Sequence, residues 1–223
     1  MAETGVSSGA ETARGTVERV EPTKAQRALA RRVAESKATA PHFYLDVEVR
    51  VGEAPAELVV RACGRALREF PRLNGAYRDG AFETYSRVNV GVAVEGVEAP
   101  PVVTIFDADR KEANEIGGEL VALRERAAAG ELTSPELAGG TFSLAFTDVG
   151  AVRSLTPVLN QGQAAALAVG AVTERPLVRD GAVVAGRALT ATLSCDGRMV
   201  ATDEAARFLD RVRALLEEPA GPE

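Results

Sequence analysis

LSCDGRMVATDEAARFL, residues 193–209, reads as the end of a strand, a tight connection and the start of a helix. Upstream, residues 181–195 form one long strand with alternating stretches. Downstream, residues 203–217 are expected to form an amphipathic helix whose Phe208, Leu209, Val212, Leu215 and Leu216 share a face. A long strand delivered directly into such a helix is a unit of α/β architecture.

The chain has 223 residues, room for one large core or two small ones. Only 4% of residues are aromatic and none is Trp, so the core must be built of Ala, Val and Leu. The net charge of −6 argues against a nucleic-acid surface, which needs clustered Lys and Arg. No apolar run approaches the roughly 20 residues that span a bilayer. MAETGVSSGAETARG has neither a basic start nor an apolar segment, so it does not read as a secretory signal. Cys63 and Cys195 are too few for a disulfide framework and fit no metal spacing. A cytoplasmic protein without nucleic-acid or membrane partners, and without a metal, is expected.

Residues 1–18 are small and polar and are expected to be a loose tail before one domain over 19–223. A helix is expected from Pro22, with Ala25, Leu29 and Val33 on one stripe, ending near Ala40 because Pro41 follows. The basic face of that helix, residues 24–37, is read as solvated. Phe43, Leu45, Val47, Val49 and Val51 alternate with polar residues, a period-two strand. Residues 55–70 give a helix with Leu58, Val59, Ala62, Cys63, Ala66, Leu67 and Phe70 on its apolar stripe. A short strand follows, with a hairpin turn at Asp79-Gly80. Strands are expected around Val88–Val94, over 101–106 and over 164–172. Residues 110–129 read as a helix closed by Gly130. Helices alternating with long strands imply a two-layer α/β sandwich on a mixed β-sheet.

The motifs also carry a resemblance. The stretch 193–209 is similar to the signature of the dihydrolipoyl acyltransferase family of 2-oxo acid dehydrogenase complexes. In that family a strand ends in Asp-His-Arg, two residues follow, then Asp-Gly-Ala and a helix with Ala-Arg-Phe-Leu. Asp196, Arg198 and Ala205-Ala206-Arg207-Phe208-Leu209 match. ARRVAESKATAPHFYLDVEV, LNGAYRDG…VNVGVAVEG and GGTFSLAF (139–146) extend the likeness over residues 20–219, with a departure at GVEAPPVV. The resemblance implies the chloramphenicol-acetyltransferase-like fold and a trimer with its site between subunits. It also implies acyl transfer between a dihydrolipoyl thiol and coenzyme A.

In that chemistry a neutral imidazole is the general base, an aspartate supports the architecture, and a hydroxyl stabilises the tetrahedral oxyanion. Aligned without gaps, the base position falls on Gly197, the aspartate on Ala201 and the hydroxyl on Ala145. None of these residues can do the corresponding work. His42, the sole histidine, belongs to the Pro-His-Phe strand start and is read as structural. Cys195 is read chiefly as strand packing, and Asp196 with Arg198 chiefly as an ion pair. Candidate site-lining residues are Asp196, Arg198, Cys195, Ser143, Thr147, Asp148 and Asn160. GGTF and NQGQ lack the spacing of nucleotide loops.

The sequence therefore points to a silent acyltransferase core. It would act as a trimeric scaffold or a module for a CoA or lipoyl-type acyl ligand, with no covalently bound cofactor. Its expected partners are copies of itself, active paralogues or dehydrogenase-complex subunits. The alternative is a stand-alone acyltransferase or small-molecule tailoring enzyme using a non-standard mechanism in the same inter-subunit channel.

Overall fold

A computed structural model describes residues 7–8, 13–94, 101–150 and 152–218. Of the expected loose tail, residues 1–6 and 9–12 lie outside these. Ser7–Ser8 (β1) pairs antiparallel with Glu18–Arg19 (β2). Residues 95–100, which hold most of the GVEAPPVV departure, and the end of the proposed core domain at 219–223 are also outside the described residues.

The helix at Lys24–Thr39 (α1) starts two residues later than Pro22 suggested. Thr23 is its N-cap, and its hydroxyl and the Gln26 side chain form a reciprocal capping box. It ends at Ala40, as the proline demanded. Leu29 and Val33, taken as an apolar stripe, are 38% and 39% exposed, and Ser36 is the buried residue of this helix. Leu29 and Val33 lie beside residues 158–161, which cover the stripe only in part.

His42–Arg50 (β3) turns its odd-numbered side chains inward and its even-numbered ones, from Tyr44 on, outward, as the alternation required. Ala56–Glu69 (α2) buries Val59, Val60, Ala62, Cys63, Ala66 and Leu67. Gly75–Arg78 (β4) and Ala81–Thr84 (β5) form the expected hairpin, with Asp79 at φ 49° and Gly80 at φ 82°. Val90–Ala93 (β6) is shorter than its valine run and is almost wholly buried, because strands lie on both its sides. Val102–Ile105 (β7) leads through a short 3-10 turn at Ala108–Arg110 into Ala113–Ala129 (α3), closed by Gly130 at φ 73°. Ser134–Ala138 (α4) was not foreseen, although Thr133 and Glu136 carry a capping-box signature.

Phe142–Phe146 (β8), Ala165–Val169 (β9), Thr173–Arg179 (β10) and Ala182–Asp196 (β11) complete the sheet before Thr202–Glu217 (α5). β10 was also missed, though Asp180-Gly181 repeats the two-residue turn of the first hairpin. The seven-stranded sheet runs β10-β11-β9-β8-β6-β7, with β3 on the other edge of β11. β8 is parallel to β6 and β9, and the remaining pairs are antiparallel, so the sheet is mixed.

Leu189, Ala191, Leu193 and Cys195 of β11 join Phe142, Leu144 and Leu167 in one core beneath α2, α3 and α5. Phe208 of α5 anchors it, with its ring centre 5.9 Å from those of Phe142 and Phe70. Burying one such side chain is worth roughly 1.5–3 kcal/mol. The opposite face carries small and hydroxyl residues. Register places Thr192 and Ser194 beside Ala168 and Ala166, and Ser143 beside Ala166.

Two local features are open to direct test. Gly64 of α2 lies against the 3-10 turn, where a Cβ would stand 2.7 Å from the Ala108 carbonyl. Gly64→Ala is expected to cost about 1–3 kcal/mol in urea unfolding, because backbone must shift to admit one methyl. Ala201 is the N-cap of α5 and supplies no side-chain acceptor. Ala201→Asp is expected to stabilise the chain by about 1 kcal/mol and raise its Tm.

Candidate functional site

Asp196 closes β11 and its side chain is 4% exposed, a buried carboxylate that needs compensation. Arg198 provides it. Its Nε lies 3.0 Å from Oδ1, one terminal nitrogen 2.6 Å from Oδ2, and its backbone amide 3.0 Å from Oδ1. The guanidinium also sits 4.5 Å from the centre of the Tyr77 ring. Sequence spacing at i, i+2 across a tight turn makes this bidentate pair possible.

The pair lines a polar cleft of about 350 Å³ between the end of α1, the β4 strand and residues 159–163. Ser36, Tyr77, Arg78, Asn160 and Gln163 line it as well. Asn160 Nδ2 donates to Ser143 Oγ at 2.8 Å, and that hydroxyl donates to Gln163 Oε1 at 2.7 Å. Gln163 Nε2 in turn reaches the Gly140 carbonyl at 2.8 Å. Both hydrogen-bonding roles of the Ser143 hydroxyl are thus engaged, and it is 7% exposed.

Gly197 is exposed between Asp196 and Arg198, and its amide donates to the Pro41 carbonyl at 2.9 Å. Its φ lies outside the left-handed region. A Cβ there would stand 3.1 Å from the Pro41 oxygen, so that backbone carbonyl would have to move by a few tenths of an ångström to admit one. The φ angle of this turn therefore does not demand glycine.

His42 is pinned at both nitrogens. Nδ1 donates to the Ala40 carbonyl at 2.7 Å, and Nε2 accepts from the Leu159 amide at 3.2 Å. This is the hydrogen-bond pattern of a neutral imidazole holding two segments together. With Ser36 Oγ donating to the Leu159 carbonyl and Ser194 Oγ to that of Pro157, it ties residues 157–160 across the hydroxyl-bearing face of the sheet.

The seven candidates do not form one site. Asp196, Arg198 and Asn160 line the polar cleft, and Ser143 stands directly behind Asn160. Cys195 does not line it. Strand alternation turns its side chain to the opposite face, where it is completely buried and burial pushes its thiol up to about 12, a packing residue and not a nucleophile. Burial likewise pushes the Cys63 thiol up. Thr147 and Asp148 lie beyond the far end of β8 and line a separate cavity of about 790 Å³ with Ala93, Phe146 and Val169. Ser36, Tyr77, Arg78 and Gln163 were missed. All four lie in quoted runs, Ser36 in ARRVAESKATAPHFYLDVEV, Tyr77 and Arg78 in LNGAYRDG and Gln163 in NQGQ, but only tertiary contacts bring these runs to one cleft. Among the described residues no group of three His, Cys, Asp or Glu is placed to hold a metal ion.

Ala145, half-buried on β8, pairs with Ala168, which pairs with Thr192. Gly197 is five residues beyond Thr192, roughly 17 Å along an extended strand. Ala201 is exposed at the N-cap of α5. Among the described residues no helix is long and apolar enough to cross a membrane.

The sequence model of the 2-oxoacid dehydrogenases acyltransferase catalytic domain matches residues 53–222. The chain is 32% identical to the dihydrolipoyllysine-residue acetyltransferase component of the Bacillus subtilis pyruvate dehydrogenase complex over 217 residues, covering 87% of this chain and 49% of that protein. It spans about half the length of the curated relatives it matches. The cubic core of a pyruvate dehydrogenase multienzyme complex superposes with a TM-score of 0.86 at 23% identity, over 94% of this chain and 96% of that one. A chloramphenicol acetyltransferase does so with a TM-score of 0.52 at 14% identity, over 87% and 96%. These structures share the fold. The chain belongs to the 2-oxoacid dehydrogenase acyltransferase (catalytic domain) family.

Proposed function

We propose that this chain is an acyltransferase core without acyl transfer, serving as a trimeric scaffold or as a module for a CoA or lipoyl-type acyl ligand. The observation that carries the reading is Gly197. It occupies an exposed turn beside the polar cleft, where the resemblance puts the general base, and the backbone there has no conformational need of glycine. A glycine offers no group to take a proton from a thiol. Ala201 and Ala145, at the aspartate and hydroxyl positions, likewise offer neither carboxylate nor donor.

The neighbouring residues do not replace them. His42 has both nitrogens engaged in structure, Cys195 is buried in the core, and the Asp196 carboxylate is held by Arg198. What remains at the cleft binds and orients: hydrogen-bonding groups from Asn160, Gln163 and Ser36, and the charge of Arg78.

The separation of Ala145 and Gly197 within one chain supports a site composed from two copies. So does the partly open Leu29–Val33 stripe of α1, which a second copy would cover further. We assign the chain to a trimer, with active paralogues or dehydrogenase-complex subunits as partners in a larger cytoplasmic assembly.

The test is release of the CoA thiol from acetyl-CoA in the presence of dihydrolipoamide. The wild-type chain is expected to stay at the protein-free rate. Gly197→His/Ala201→Asp/Ala145→Ser is expected to exceed it by at least about 10²-fold, the usual contribution of a base alone. Chain-dependent turnover by the wild type overturns the reading.

A further inference from the structure

His42, the sole histidine of the chain, fastens the segment that walls one side of the polar cleft. Residues 152–160 have neither helix nor strand, and the part that reaches the cleft is held by side chains. Ser194 Oγ donates to the Pro157 carbonyl and Ser36 Oγ to the Leu159 carbonyl, each at 2.7 Å, while the His42 ring accepts from the Leu159 amide at 3.2 Å. Asn160, the next residue, lines the cleft and is bonded through Nδ2 to Ser143 at 2.8 Å. Serine hydroxyls keep the same hydrogen-bonding character through the neutral range. Of these ties, only the histidine is of a type that changes charge there.

The two partners of the ring fix the direction of the effect. Nδ1 donates its proton to the Ala40 carbonyl at 2.7 Å, which leaves the lone pair of Nε2 for the Leu159 amide. Protonation makes Nε2 a second donor. One N–H then faces another, and the Leu159 bond must open. Among the charged and titratable groups of the surrounding elements, α1 brings Glu35 and Lys37, β3 brings Tyr44, and the end of β11 brings Asp196, the register partner of His42, with Arg198 beyond it. Lys37 is bonded to Tyr44 and Asp196 to Arg198, residues 157–160 bring no such group, and both ring nitrogens meet backbone. Leu159 is 3% exposed, so its apolar side chain keeps the segment near the sheet. Charging the ring therefore loosens the segment and does not expel it.

We infer that His42 is a proton-operated latch on the polar cleft. Neutral, it fastens Leu159 and so keeps Asn160 on Ser143, and Ser143 on Gln163. Charged, it lets the segment open more often, and the cleft wall loses order as pH falls. Its hold on a ligand weakens in the same direction. That last consequence rests on the reading of this cleft as the binding site, whereas the latch itself is built from the chain alone.

The experiment is amide hydrogen exchange of the full chain, followed residue by residue by NMR from about pH 8 to about pH 5, with intrinsic exchange rates divided out. Leu159 is expected to lose protection by about tenfold, the scale set by one such hydrogen bond. Ala108, whose amide donates to the Val88 carbonyl at 2.9 Å, is the internal control and is expected to keep its protection. His42→Gln supplies an acceptor that does not titrate and is expected to make Leu159 protection independent of pH. The ring nitrogen resonances of His42 in the wild type give the midpoint directly, so the test does not hang on how the variant folds. Loss of Leu159 protection at that midpoint supports the latch. A ring that stays neutral down to about pH 5, a charged ring with no change at Leu159, an equal loss at Ala108, or a loss that persists in His42→Gln overturns it. No acyl group or ligand enters the measurement, so its outcome stands apart from that of the transfer assay.

Discussion

β11 is paired along both edges, and the rest of the structure depends on that constraint. Ala191–Cys195 bond to β3 on one side and β9 on the other, and Ala188 bonds to both β3 and β10. A strand held on both sides cannot slip by one residue without turning every side chain to the wrong face. Its period of two therefore decides what the molecule contains. Leu189, Ala191, Leu193 and Cys195 enter the core, while Thr190, Thr192, Ser194 and Asp196 face the other way. Asp196 reaches the polar cleft because it is on the even side of this register.

That register also explains how framework residues and exposed turn positions can alternate along one short stretch. The matched residues serve structure: Asp196 and Arg198 neutralise one another at the strand end, and Phe208 and Leu209 fill the core under the sheet. Gly197 and Ala201 lie on exposed backbone between them and support neither the ion pair nor the core. A change at either position costs the fold little, so function and framework are separable residue by residue along this stretch.

Much of the fold was legible because it rests on local pattern. β3, α2 and α5 announced themselves by period, and Asp79-Gly80 by turn chemistry. β10 was harder, since Pro176 and three charged residues in TERPLVR obscure an edge strand whose inward residues are Arg175 and Leu177. The apolar stripe of α1 was visible, but Leu29 and Val33 stay 38% and 39% exposed, because how far a stripe is covered is decided by tertiary contacts and not by period. The candidate site was less legible. Sequence neighbours placed Cys195 beside Asp196, yet strand alternation sends their side chains to opposite faces. Thr147 and Asp148 follow Ser143 closely, yet the strand carries them to the other end of the sheet. Ser36 and Tyr77 join the cleft through tertiary contacts that no spacing rule encodes.

The tie across the hydroxyl-bearing face has a consequence for the order in which the chain is made. Leu159 is held by Ser36 and His42, 123 and 117 residues earlier, and Pro157 by Ser194, 37 residues later. β3 is synthesised well before the strand that completes it, β11, the last of the sheet. An apolar, alternating strand thus waits without an edge partner until the other strands of the sheet have been translated. Such contacts form late and slowly because long loops must close first. The nascent chain is correspondingly exposed to mispairing with its neighbours on a polysome, where identical β3 strands are close together.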